Sequence, residues 1–309
     1  MKKTILLLMA VLTLSTSLSA QDNKSKKEKF TPKVGNLSFG LTFNPMALAG
    51  KSYQPAKGDF VGNYINSYGT EAKQMWVLGT EPLASLMLKY RMSEVMSLRA
   101  NIGFTGSAIN YKEYVDDDRA DALSNGKVVD VIHNNQNNVS LALALEFHKL
   151  LGSFQFNFGI GLLYGVGGGR ITYTYGNPLT LEGGWQRTTM PYLQQAAVGE
   201  KGLNEWRAAN GIAAAYPIES YNQGYVHGLG LCCDLGLEWF CLPRVSVGLS
   251  MTITPVMGVF QPQTYTVYEG YSTYKDALDT YNKLVSPGSN AVLYGTDSLG
   301  FRFSLNYYL

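Results

Sequence analysis

Eight stretches of this chain alternate large apolar residues with small or polar ones, the period of a strand with one apolar face. In the first, Val34 to Asn44, Leu37, Phe39, Leu41 and Phe43 share one parity. The second, Leu83 to Tyr90, carries Leu86, Leu88 and Tyr90, and the third, Val95 to Tyr111, carries Leu98, Ala100, Ile102 and Phe104. The fourth is Asn138 to His148 and the fifth Ser153 to Tyr175, where Phe154, Phe156, Phe158, Ile160, Leu162 and Tyr164 keep phase. Tyr225 to Phe240 is the sixth, and Val245 to Val267 the seventh, with Pro255 marking a bulge or the limit of regular pairing. The eighth, Leu299 to Leu309, alternates up to the last residue.

The connections alternate as well. Short ones fall at Arg91 to Glu94, Lys149 to Gly152 and Cys241 to Arg244, and long ones at 45–82, 112–137, 176–224 and 268–298. Short turns on one side and long loops on the other predict an all-β fold, an eight-stranded antiparallel up-and-down barrel. Within the loops, Thr273 to Leu284 has a helical rhythm with a capping-box spacing at Thr273 and Asp276, and Pro191 to Ala209 suggests further short helix.

Which face meets solvent decides the class. A soluble barrel would turn its apolar face inward and Lys or Glu outward. Here the polar parity is mostly Gly, Ser, Thr and Asn, and the apolar parity is nearly free of charge. The apolar row is therefore expected to face lipid, where Arg or Lys would cost about 2–4 kcal/mol at the midplane. Charged residues make up only 16% of the chain, thin for a solvated surface.

The N-terminus agrees with that compartment. Lys2 and Lys3, an apolar run from Ile5 to Leu14 and the small residues to Ala20 read as a signal peptide over 1–20. A lysine-rich leader follows over 21–33, with Lys24, Lys26, Lys27, Lys29 and Lys33, and the barrel spans 34–309. Without Lys2 and Lys3 the basic residues equal the 23 acidic ones, which argues against nucleic acid as a partner. Cys232, Cys233 and Cys241 are expected to be buried thiols without a disulfide, since the adjacent pair faces opposite sides of a strand.

On these strands the chain resembles the small outer-membrane barrels of the OmpA and OmpX type, with aromatic loops closer to those of Bacteroidota. The resemblance implies outer-membrane localisation with both termini periplasmic, membrane lipids as surroundings, and recognition by the barrel-assembly machinery. Phe301, Phe303, Leu305, Tyr307 and Leu309 resemble the terminal assembly signal, ending in leucine rather than phenylalanine.

Candidate chemistry concentrates on the inward parity. Lys89, Arg99 and Arg302 are basic, and Glu146, Asp234 and Glu238 acidic. An eight-stranded interior is filled by side chains, so three charges of each sign suggest a paired plug rather than an ion path. His133, His148 and His227 lack metal-ligand spacing, and His227-Gly228-Leu229 lacks the His-x-Ser of a barrel deacylase. Gly165 to Gly169 lacks the Lys-Ser/Thr and helix of a phosphate loop. No cofactor, metal or catalytic set is expected. Trp76, Trp185, Trp206, Tyr274 and Tyr281 form an aromatic loop set, expected either to pack as a cap or to present a surface to a glycan or envelope protein.

The expectation is a non-enzymatic barrel with a plugged lumen, serving surface interaction or an accessory place in an envelope assembly, a secretion machine among them. A narrow channel or transporter for a small or hydrophobic solute is the alternative, and a lipid-modifying enzyme the third.

Overall fold

The computed structural model describes residues 32–44, 84–120, 125–179, 202–220, 225–295 and 299–309. The signal peptide, the leader up to Lys29, Trp76 and Trp185 lie outside them.

Eight strands pair antiparallel into a closed ring. In order around it they are β1 (Leu37–Phe43), β2 (Ala84–Arg91), β3 (Met96–Asp116), β4 (Lys127–Leu151), β5 (Phe154–Thr174), β7 (Tyr225–Leu242), β8 (Val245–Gln261) and β12 (Leu299–Tyr308). Closure comes from β1 pairing with β12, with Phe39 opposite Tyr307 and Phe43 opposite Phe303. Every ring strand thus has two neighbours along part of its length, which removes the unpaired edges of an open sheet.

Three short turns and both ends of the ring share one rim. There the backbone N–H of Leu309 donates to the Leu37 carbonyl, that of Tyr308 to Arg244, and that of Gly35 to Arg91, each at 2.8 Å. The alternation sorts the faces as a period of two requires. Phe39, Leu41, Leu86, Leu98, Leu143, Phe156, Leu235, Leu249 and Phe303 stand outward and exposed, while Ser38, Thr42, Lys89, Ser97, Thr252 and Asn306 stand inward and buried. From Phe154 to Tyr164 the outward apolar row runs about 33 Å along the strand, or about 25 Å along the axis at a tilt near 40°.

The far end departs from long, irregular loops. Residues 112–116 and 127–137, read as part of a connection, instead extend β3 and β4, which pair from Met96–Phe147 to Asp116–Lys127. On this extension polar side chains occupy even buried positions, Asp130 and Gln136 beside Val115 and Ile132, so Asn134 to Asn138 carries no apolar alternation although its backbone pairs fully. Between 268 and 294 the chain is likewise mostly strand. β9 (Thr264–Ser272) pairs with β10 (Ala277–Ser286), and β11 (Ser289–Tyr294) pairs with β8, making one kinked hairpin above the ring.

The helix expected over Thr273 to Leu284 is therefore absent. Its first residues form the turn and the rest is β10, whose Thr280, Tyr281 and Val285 suit a ladder against β9. One helix occurs among the described residues, α1 (Leu203–Ala209), within the region where a loop helix is expected from the sequence. It precedes β6 (Ile212–Ser220), which joins β9 to the upper end of β5. Pro255 sits at a register shift, where Thr254 and Pro255 on β8 oppose Cys232 alone on β7.

Candidate functional site

Seven ring strands send charged or hydrogen-bonding side chains into one buried cluster on the axis, β5 through Asn157. β2 contributes Lys89, β3 Arg99, β4 Glu146, β7 Asp234 and Glu238, β8 Thr252 and Ser246, and β12 Arg302, Asn306 and Tyr308. None of the six ionisable residues singled out in the sequence is more than 4% exposed.

The charges alternate along a continuous path. Glu238 pairs with Lys89 at 3.0 Å, Lys89 with Glu146 at 2.9 Å, and Glu146 with Arg99 at 2.7 Å. Arg99 continues to Asp234, and Asp234 to Arg302 at 3.4 Å. Each anion thus touches two cations, apart from Glu238 at the end of the path, which gathers neutral donors instead. Tyr308 Oη donates to it at 2.6 Å, Asn306 Nδ2 at 3.0 Å and Asn157 Nδ2 at 3.4 Å, with Ser246 Oγ as a further donor. At the other end Arg302 donates to Thr252 Oγ1 at 2.6 Å, and Thr252 in turn donates to Asp234.

Asn306, Tyr308, Thr252 and Ser246 are not among the residues singled out in the sequence. Their signal is available there, because they share the inward parity of Arg302 on β12 and of the polar row on β8. Neutral groups on a polar strand face do not stand out until an anion is known to lie against them.

Small residues make the room. Gly159 sits in register between Glu146 on β4 and Asp234 on β7, so two anions are separated by a position with no side chain. A methyl group there would meet Asp234 Cβ at 3.4 Å and Glu146 Cγ at 3.5 Å. The free space left around the cluster is about 20 Å³, enough for one water.

Below the cluster, Arg91 donates to Gln155 Oε1 at 3.1 Å and to the Glu94 carbonyl at 2.8 Å, and Phe240 packs on Tyr308 with ring centroids 5.5 Å apart. Above it the inward face is mixed, with Ala142, Ala144, Leu163, Cys232 and Met257 buried alongside Asn101, Ser140 and Thr254. The lumen is packed on both sides of the charges, and no substrate-sized space adjoins the carboxylates among the described residues.

The remaining sequence candidates divide. Phe303, Leu305, Tyr307 and Leu309 are outward and exposed, with Phe301 half-buried in the same row. Cys232 is buried inward, whereas Cys233 and Cys241 are only half-buried, so burial holds for one of the three thiols, and none is in a disulfide.

The described members of the aromatic loop set divide between the two expected arrangements. Tyr274 is 80% exposed, but Trp206 and Tyr281 pack against a core of Leu203, Ile212, Ala215 and Tyr268. Trp206 lies 5.4 Å from the Tyr268 ring and 6.3 Å from that of Tyr281. These two side chains close α1 onto β6, β9 and β10 because an indole left in water beside an apolar sheet face forfeits its burial energy. Leu179, Ala214 and Tyr216 form a second small core with Tyr175, whose hydroxyl donates to the Pro217 carbonyl.

No family model and no curated protein matches this chain. Among solved structures it is similar to the outer membrane protein OprG from Pseudomonas aeruginosa, at 12% identity and a TM-score of 0.32, covering 90% of this chain and 97% of that one. It is also similar to a major outer membrane protein from Thermus thermophilus, at 10% identity and a TM-score of 0.31, covering 89% of this chain and 99% of that one.

Proposed function

We propose that the chain is an integral outer-membrane β-barrel, without catalytic activity, whose lumen is closed by the ion-pair path. Its work is done by the folded end above the ring, as a surface-interaction or accessory subunit of an envelope assembly such as a secretion machine. The observation that carries the reading is the inversion of a soluble barrel's polarity. Outward positions such as Phe156, Leu235 and Phe303 are apolar and exposed, while six ionised side chains are shut inside. Exposing such a belt to water would forfeit about 25 cal/mol for every Å² of apolar surface, and its height suits a hydrocarbon layer of about 25 Å. The ring places both its termini at the short-turn rim, which in this reading faces the periplasm.

Closure follows from packing. Five ion pairs cross the lumen at the cluster, and the free space of about 20 Å³ beside them holds one water, which leaves an ion no column through that level. Reconstituted in planar bilayers, the mature protein is expected to insert and carry no steady current. Discrete, long-lived openings would instead favour the channel reading. Failure to enter bilayers or the membrane fraction would end the proposal altogether.

A further inference from the structure

The wall of the ring is not uniformly convex. On its outer side, near the short-turn rim, lies a groove of about 590 Å³. Its lining runs from Phe147 and Lys149 of β4 over Phe156 and Phe158 of β5 and Leu235 and Leu237 of β7 to Leu249 and Met251 of β8. The inward positions behind this stretch are Asn157, Gly236, Gly248 and Ser250, three of them small. Lys149 lines the groove at its rim end. It is the register partner of Phe156, is exposed, and takes part in no ion pair among the described residues.

We propose that this groove holds one glycerophospholipid of the periplasmic leaflet, its acyl chains along the apolar lining and its phosphate on Lys149. The inference rests on the membrane reading above and adds a fixed partner to it. The chemistry selects the occupant. The lining is almost wholly apolar and lies inside the lipid-facing belt, so it suits hydrocarbon. The single cation sits at the end where a leaflet's phosphates would lie, with no carboxylate to neutralise it. A side chain that would otherwise be costly in the belt is placed where it can reach the interface.

The test uses the full mature chain in vesicles of phosphatidylcholine and phosphatidylglycerol, doped with a phosphatidylglycerol bearing a diazirine in its acyl chain. After photolysis, crosslinks are mapped by peptide mass spectrometry. They are expected several-fold more often on Phe156, Phe158, Leu235 and Leu237 than on Phe39, Leu41 and Leu86 elsewhere in the belt. Lys149→Glu is expected to lower the groove crosslinks about fivefold, the factor for one cation at a lipid surface, while leaving the β1 and β2 crosslinks unchanged. Leu235→Trp, which fills the groove without adding charge, should lower them too.

Even labelling around the belt, or groove labelling indifferent to both variants, overturns the inference while leaving the membrane reading intact. A groove protected from lipid by a crosslinked second copy of the chain also overturns it. Absence of all crosslinks because the protein stays outside the vesicles defeats the membrane reading itself.

Discussion

Lys89 and Arg99 are register partners on β2 and β3, two cations directly across from each other, and Glu146 joins them at 2.9 Å and 2.7 Å. Like charges at facing positions destabilise a strand pair. Here the pairing persists because the third strand supplies the anion diagonally, from a position in register with Ser97 rather than with Arg99. Ring closure then lets β7 and β12 complete the path from the other side. The cluster is a property of the closed sheet, not of any one hairpin.

Glu146 is accordingly the residue whose charge matters most to stability. Glu146→Gln leaves two buried cations sharing a neutral amide, a loss of about 3–5 kcal/mol. Urea unfolding in detergent micelles should show the drop, with Glu205→Gln on the exposed face of α1 within about 0.5 kcal/mol of wild type.

Asp234→Asn removes the anion held between Arg99 and Arg302. Lower stability or a measurable leak in planar bilayers is expected, and a variant normal in both would argue against a lumen closed by pairing. Replacing both members of the terminal pair, as in Arg302→Met with Asp234→Leu, should recover most of the lost stability, because Arg99 keeps Glu146 and an apolar pair carries no desolvation penalty. The same double variant should remain silent in bilayers, since packing rather than charge fills the space.

Neighbouring glycines on β5 should respond differently to alanine. At Gly159 a methyl group makes ordinary contacts with Asp234 and Glu146, none closer than 3.4 Å. At Gly161 it would press on the Leu143 carbonyl and the Ala144 backbone, which cannot move without disturbing the β4 ladder. Gly159→Ala is expected to fold with little change, whereas Gly161→Ala should cost about 1–3 kcal/mol or fail to assemble. Heat-modified mobility on gels reports both.

These contrasts mark how far the sequence reaches. Period-two alternation locates the ring strands, because lipid-facing and enclosed positions impose opposite chemistry on successive residues. It also places Lys89, Arg99, Glu146, Asp234, Glu238 and Arg302 on the inward face. Their partners are out of its reach, since the contact of Arg99 with Asp234 depends on ring order and stagger across strands far apart in the chain. The alternation fades where asparagine and glutamine fill both parities, as over Asn134 to Asn138, so the outer halves of β3 and β4 read as loop. At Thr273 to Leu284 a local helical spacing loses to the ladder that β9 offers, with the capping-box threonine donating instead to the Gly211 carbonyl at 2.9 Å.

The folded end above the ring should be separable from the ring in stability. Trp206 bridges α1 to Tyr268 and Tyr281, and its contacts lie wholly within that end. Trp206→Ala should cost about 3 kcal/mol there, by loss of burial and the cavity left behind. Tyr274→Ala, at an exposed turn, should cost less than about 0.5 kcal/mol. Limited proteolysis of vesicle-inserted protein distinguishes the two: Trp206→Ala is cut rapidly between α1 and β10 while the ring remains protected, and Tyr274→Ala is cut no faster than wild type. If partner binding were then lost in Tyr274→Ala alone, the exposed tyrosine would be part of a recognition surface. Loss only in Trp206→Ala would assign the packed aromatics a scaffolding role, and simultaneous collapse of the ring would refute the separation of the two parts.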